Sequence, residues 1–560
     1  MGKNLALLVA VLAVVIGPIL MRPKGAEAML KGQDTLVAIT PHNEAIRSEF
    51  SEAFREWYRA KTGRTVVVEW LTPGGTSETT LYLNGAYTAA FENYWRRKLG
   101  RKWENAVENG FLDMKTVPAK SPAEDTPGQA ARRAFLESDI GAKVDVFFGG
   151  GAYDFRKMAD AGLLVDCGYV SAHPELFGPD KPFPPMLGGE QYYDEKGRWI
   201  GTTFGAFGIA YNRDQIARLG VPEPRRWSDI ADPRYFRSLA IANPTQSGAA
   251  NKALEMLVQE QMNLVGAETG ADEKRITDEG WTRAMRLLQR IGANARYFTD
   301  SSAKIALDIE AGEAAAGMTI DFYGRFQSEA VRRADGSSRI GYTDAESGTS
   351  YGPDPVGLLR GAPHRELAKR FIEFVMTDGQ KLWGWKTKSQ LNMASQAISD
   401  GQALKEWNAL AAGGPKRHAL RRLPMLPELY EPRFRAFRSD PDVLPYEAAK
   451  KFTYEAKRTA PYFNVIAFVV RVMCIDTHNE LTTAWRALID AKEKTGAFPR
   501  QALAAFGDVR AVDYAAATTR IREAVSSSAS KITQVQLAKE LADSFRTTYR
   551  RATELARAGR

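Results

Sequence analysis

Apolar residues along the chain fall into short strand-like runs alternating with helix-spaced faces, the pattern of an α/β protein. Residues 34–40 form a short apolar strand. Pro41, His42, Asn43 and Glu44 then turn into a helix that carries Ile46, Phe50, Phe54 and Trp57 on one face and ends at Gly63. Thr65 to Trp70 is a second strand, which a right-handed crossover makes parallel to the first. A polar, helix-forming stretch over about residues 80–140 reads as a surface insertion. Residues 144–148 return as a buried strand running into Gly149, Gly150 and Gly151, followed by a helix stopped by Gly162.

Residues 202–211 are apolar, extended and dotted with glycine, as suits a strand crossing between two lobes. A second α/β run follows. It has a strand and a long helix from residue 239, a helix over 304–311 stopped by Gly312, and a strand over 315–320 ending at Asp321, Phe322 and Tyr323. Residues 351–359 are again extended, and Pro363 opens a helix with Leu367, Phe371, Phe374 and Val375 inward. Beyond about residue 378 the pattern is mostly helical. The apolar run 463–474 is short of the roughly 20 residues a membrane-spanning helix needs and reads as core. The expected organisation is therefore a first lobe over 34–205 with the insertion at about 80–140, a second lobe over 206–335, a return to the first lobe over 336–380, and a mainly helical extension over 381–560.

At 560 residues the chain exceeds one ordinary core, and 44% hydrophobic with 26% charged residues excludes disorder on a large scale. The formal net charge of +9 is compatible with an anionic ligand, an acidic partner or an anionic membrane. Its basic residues are interspersed with acids and form no stripe or reader motif, so nucleic acid is not expected as a partner. Residues 1–28 carry Lys3, an apolar stretch from Leu5 to Met21 and the small-x-small pattern Ala26, Glu27, Ala28, an export signal. Arg22 and Lys24 after the stretch make a retained membrane anchor the alternative. Either reading places the rest of the chain outside the cytoplasm, periplasmic or extracellular. The only cysteines, Cys167 and Cys474, make no disulfide framework, and two buried thiols are favoured over one bridge.

The junction from residue 239 to 248 joins a strand, a turn of small polar residues and a helix start, which aims the free N–H groups of a first helical turn beyond the strand end. Thr245, Gln246 and Ser247 add side-chain donors and Gly248 admits close approach; the plainer reading is an ordinary N-cap by Ser247. His42 stands at a strand end as an anion donor, metal ligand or surface residue, and Asn43 caps the helix after it. Asp321 receives an amine, binds a cation or only caps a loop. The pair Arg421 and Arg422 could reach an anion or a partner protein, and the plainer reading is a solvated pair.

Several segments together resemble the extracellular solute-binding proteins of ABC importers, in particular the ferric-ion, polyamine, thiamine and phosphorylated-compound binders. They are Thr40 to Glu44, Lys61 to Gly63, Val144 to Gly151, Tyr211 with Asn212, Trp227 to Ile230, Asn243 to Gly248, Gly312 to Gly317, Pro353 to Val356, and Gly361 to Pro363. The resemblance covers roughly residues 34–380. It implies a two-lobed periplasmic-binding-protein type II fold, here with a helical C-terminal extension, closing on a small-molecule solute and then engaging the membrane subunits of a transporter. A monomer without cofactor or bond-making chemistry is the form it implies. Matching positions place His42, Asn43, Thr76, Ser77, Gly149 and Gly150 in the site from the first lobe. From the second come Thr245, Gln246, Ser247, Gly248, Asp321 and Tyr323, with Tyr351 near the return crossing.

Ferric binders of this group use adjacent tyrosines. This chain has Asp321, Phe322, Tyr323 and Gly324 at the matching place, and its five histidines show no zinc spacing, so no metal is expected. An exported hydrolase using Ser247 or His42 is the rival from another class, without a Gly-x-Ser-x-Gly elbow or a His-Glu-x-x-His motif to support it. A sensory or scaffold protein held by residues 1–28 is the third reading.

Overall fold

The computed structural model describes residues 33–560 apart from 271, 527 and 528, so the expected export signal or anchor at 1–28 lies outside the described residues. Two mixed sheets organise them. The first has the order β14-β7-β13-β3-β1-β2, with β4 paired to β13. Here β1 is Asp34–Ile39, β2 Val66–Leu71, β3 Val146–Phe148, β4 Leu164–Val165, β7 Ile200–Gly205, β13 Gly352–Leu359 and β14 Leu423–Pro424. The small hairpin of β5 (Met186–Leu187) and β6 (Glu190–Gln191) lies beside it. The second sheet has the order β10-β9-β11-β8-β12: Ala295–Thr299, Leu239–Ala242, Ala316–Ile320, Phe207–Asn212 and Ile340–Asp344. In each sheet three parallel strands (β2, β1, β3 and β10, β9, β11) adjoin a strand running against them. These are two open α/β sheets, and in such sheets ligands sit beyond the carboxyl ends of the parallel strands.

Helices leave those ends. In the first lobe they are α1 (Glu44–Thr62), α2 (Thr76–Asn93) and α3 (Ala152–Ala161). In the second they are α4 (Gly248–Thr269), α6 (Ser302–Ala311) and α7 (Asp321–Ala330), while α5 (Glu273–Asn294) follows α4 and leads into β10. Apolar spacing along α1 buries Ile46, Phe50 and Phe54 against the first sheet, and Gly63 ends the helix in the left-handed region at φ 72°. The stretch expected as a surface insertion instead covers the other face of that sheet. Leu83, Tyr87, Phe91 and Trp95 recur every four residues and pack with Phe111 and Phe135 into one buried cluster.

The run expected as one crossing strand over 202–211 is two strands, β7 and β8, one in each sheet, separated by Ala206 alone. The second sheet also extends past the expected boundary at 335. β12 pairs antiparallel with β8 through Asp344, so the return to the first lobe begins after that residue rather than at 336. A third crossing follows at about 449–454, where Ala449 belongs to the first core and Phe452 and Tyr454 to the second. There the Tyr454 N–H donates to Gly188 O at 2.8 Å. A Cβ on Gly189 would meet Tyr454 O at 1.9 Å, so only glycine permits the approach.

The tail is no appendage. Its first part adds β14 to β7 and packs Trp383, Leu420, Leu423 and Met425 into the first lobe. Its second part, including α8 (Phe463–Val470), α9 (His478–Thr495) and α10 (Lys531–Arg557), shares one core with the second lobe. The span Ala456–Ile475 is long and apolar enough to cross a membrane by length and composition, yet Val465, Ile466, Phe468 and Val472 lie in that core. Trp281 donates to Val512 O and Trp485 to Asn294 Oδ1, both at 2.8 Å, stitching tail to lobe. Cys167 and Cys474 are buried, free thiols in separate cores.

Because Trp485 is 1% exposed and partners the buried Asn294, Trp485→Ala is expected to cost about 3–5 kcal/mol in urea unfolding. A loss below about 1 kcal/mol would show that the tail folds apart from the second lobe.

Candidate functional site

The first lobe brings two helix starts together. α2 begins after Gly75 and α3 after Gly151, and neither has a side-chain cap, so their first N–H groups have no side chain bonded to them. Gly149 and Gly150 adopt φ 91° and 125°, and a Cβ at either would collide: with the His42 ring at 2.4 Å, or with Thr76 Cγ2 at 2.8 Å. The glycine loop at the end of β3 thus lies flat against His42 on one side and Thr76 on the other. The Gly150 N–H donates to Asp354 Oδ1 at 2.5 Å.

The second lobe brings two more. Ser247 caps α4 by accepting from the Ala250 N–H at 3.2 Å, and its hydroxyl pairs with Ser302 at the start of α6 at 2.8 Å. Thr245 and Gln246 are exposed and held by Asn243, which accepts from the Thr245 hydroxyl at 2.8 Å and donates to Gln246 at 3.2 Å. The lobes meet where α2 faces α4: a Cβ on Gly248 would stand 3.8 Å from Ser77 Oγ. Asn43 serves as the N-cap of α1, accepting from the Ile46 N–H at 3.1 Å.

Beneath these loops lies a buried ionic group at the lobe boundary. Arg422 Nη1 donates to Asp354 Oδ2 at 2.5 Å and stands 3.2 Å from His42 Nε2, which is itself 3.3 Å from Asp354. Burial lowers the His42 pKa against the opposing pull of Asp354. Burial would raise Asp354, but the Arg422 guanidinium and His42 outweigh it and hold the carboxyl well below the usual range. Asp321, expected at a strand end, is fully buried as the first residue of α7. Its Oδ1 accepts from the Phe322 N–H at 2.8 Å and its Oδ2 has no partner. Burial raises its pKa to about 7, with Arg422 and Arg325 opposing. Tyr323, half-buried nearby, is pushed up to about 12 by burial.

Tyr351 takes a different place. Its hydroxyl donates to Asp344 Oδ2 at 2.8 Å, in a chain that continues through Arg325 to Asp440 of the tail at 3.4 Å. It therefore belongs to the crossing segments. A second cross-lobe group joins Lys252 of α4 to Glu190 of the first lobe at 3.5 Å and to Glu255 at 3.0 Å, with Nζ 3.7 Å over the ring of Tyr454. The sequence reading missed Asp354 as the partner of Arg422, and Ser302. Of its two readings of Arg421 and Arg422, the solvated pair does not hold for Arg422, which is 1% exposed. Among the described residues no cluster of three or more His, Cys, Asp or Glu is arranged to hold a metal ion.

Residues 156–383 match the family model described as bacterial extracellular solute-binding protein. An uncharacterised protein of Haemophilus influenzae is 26% identical over 261 residues, 46% of this chain, and the match spans 65% of that relative's length. Among solved structures, the spermidine/putrescine ABC transporter substrate-binding protein PotD of Streptococcus pneumoniae aligns over 79% of this chain and 99% of its own, at 14% identity and a TM-score of 0.43. The periplasmic binding protein AfuA of Actinobacillus pleuropneumoniae, with fructose-6-phosphate bound, aligns over 62% and 80%, at 17% identity and a TM-score of 0.38.

The raised Asp321 pKa has a signed consequence. From about pH 4 to pH 7 the folded carboxyl keeps a proton that the unfolded chain releases, so this group's contribution to stability is lost as pH rises through about 7. Asp321→Asn mimics the protonated acid and does not titrate. Its stability relative to wild type is expected to improve by on the order of 2 kcal/mol between pH 4.5 and pH 8. Melting curves at the two pH values check this, and a pH-independent difference would refute the assignment.

Proposed function

We propose that the protein is an exported receptor that captures a small polar solute, anionic or zwitterionic, between its lobes and presents it to the membrane subunits of an ABC importer. The observation that carries this reading is the meeting of α2 and α4, helix starts from separate sheets, across the lobe boundary at Ser77 and Gly248. Helix N-termini favour negative charge through their dipoles and free N–H groups, so a boundary built from them attracts an anion from both sides. Three crossings at its base let the lobes part and rejoin as bodies, and a solute touching both favours the closed arrangement. The receptor acts as a monomer outside the cytoplasm, and the solute leaves unaltered. Ser247 is engaged with Ser302 and its own helix, and His42 with Asp354 and Arg422, so neither activates the other for hydrolysis.

Titration calorimetry of residues 29–560 against phosphate esters, carboxylates, amino acids, polyamines, sugars and metal ions tests the reading. Binding of one class at micromolar Kd or tighter, without turnover, is expected. No heat from any class, or conversion of a bound compound to product, would overturn it.

A further inference from the structure

Arg422 lies in the tail, beyond the segment 156–383 that matches the solute-binding family. It reaches the lobe boundary because the chain runs back along the first sheet. Its N–H donates to Trp383 O at 2.7 Å, and Leu423 and Pro424 pair with Phe204 and Thr203 of β7. The guanidinium is sandwiched between one ring from each side, 4.4 Å over Phe322 of the second lobe and 5.3 Å over Trp383 of the first. Nη1 serves Asp354 and His42. Nε and Nη2, the other edge of the fork, are buried without an acceptor.

That free edge is unusual. Arginine cannot discharge itself by losing a proton, and an unmet donor on a buried cation is costly. The opposite deficiency lies close by. A Cβ on Gly205 would stand 3.8 Å from Arg422 Nη2 and 4.0 Å from Asp321 Oδ1, so both groups flank the bare backbone of β7. The other oxygen, Asp321 Oδ2, is the buried one without a donor. Arg422, Asp354 and His42 are held by the first lobe, whereas Asp321 and Phe322 belong to the second.

We propose that the Nε and Nη2 edge of Arg422 is the recognition element for an oxyanion of the solute, and that Asp321 receives a hydroxyl or ammonium group of the same molecule. The tail thereby completes the solute site, and the ligand class is a small organic phosphate or carboxylate that also carries a hydrogen-bond donor. A two-pronged N–H edge matches such an anion in geometry, which a lysine does not. Asp354, already charged and paired with Nη1, fixes the plane of the fork. This inference rests on the receptor reading and fails separately from it.

The test uses glycerol 3-phosphate, phosphoethanolamine and L-glutamate as anionic probes, with glycerol and ethanolamine as counterparts lacking the anion. Calorimetry is run on wild type and on Arg422→Lys, with melting curves to establish that the variant is folded. At least one anionic probe is expected to bind wild type, with Kd weakened about 30-fold or more in the variant, and the counterparts to bind neither. An anionic probe that binds both proteins equally, or failure of every anionic probe on wild type, overturns the assignment. Binding of some other solute class in the broader panel would then leave the receptor itself standing. Should Arg422→Lys not fold, wild type with ¹⁵N-labelled arginine decides: the Nε–H resonance of Arg422 is expected to shift on adding the binding probe, and an unmoved resonance refutes the contact.

Discussion

The structure depends on how little chain separates the two sheets. β7 and β8 are consecutive strands with Ala206 alone between them, one hydrogen-bonded into each sheet. A connection that short fixes which ends of the sheets face one another. The carboxyl ends of the parallel strands are turned inward, and with them the helix starts that follow. The boundary is therefore polar and rich in N–H groups because of topology, before any side chain is chosen.

Side chains then refine that boundary with charge. Isolated buried charges are expensive, and here they are gathered into groups, each with a contact between structural units: Arg422 with Asp354, Arg325 with Asp344 and with Asp440 of the tail, Lys252 with Glu255 and with Glu190 of the first lobe. Arg325 ties the second lobe to the tail where it covers the first, and Lys252 ties the second lobe directly to the first. Such pairs hold the lobes in register across their boundary. The tail has a double part in this. Its later helices share the second core, and its earlier strand delivers Arg422 to Asp354 at the lobe boundary.

Much of the scaffold was legible in the sequence. Apolar runs ending in Gly149 or in Asn243 to Gly248 marked strand ends, and the turns there stand beside helix starts. Other features gave weak signals. β14 is two residues long and contains a proline, so no period-two pattern announces it. Arg422 looked like half of an ordinary basic pair, because only the fold shows that its neighbours are Asp354 and two aromatic rings. The four-residue spacing of Leu83, Tyr87, Phe91 and Trp95 did carry a readable apolar face, obscured by the small and polar residues between. β12 was missed because Ile340 to Asp344 has little apolar character apart from its first and third residues. Among the candidate site residues, Thr76, Ser77, Gly149, Gly150, Ser247 and Gly248 stand at helix starts of the two lobes, whereas Tyr351 sits in a crossing.

The central claim is that the two lobes move relative to one another about these crossings and are drawn together by a solute. Leu81 on α2 and Leu307 on α6 are 74% and 53% exposed, and the native thiols Cys167 and Cys474 are buried, so cysteines placed at 81 and 307 accept spin labels selectively. Distances between the labels, measured by pulsed electron paramagnetic resonance, are predicted to be spread or long without solute and to contract to one shorter value when a bound solute is present. A distribution left unchanged by a solute that calorimetry shows to be bound would contradict the account.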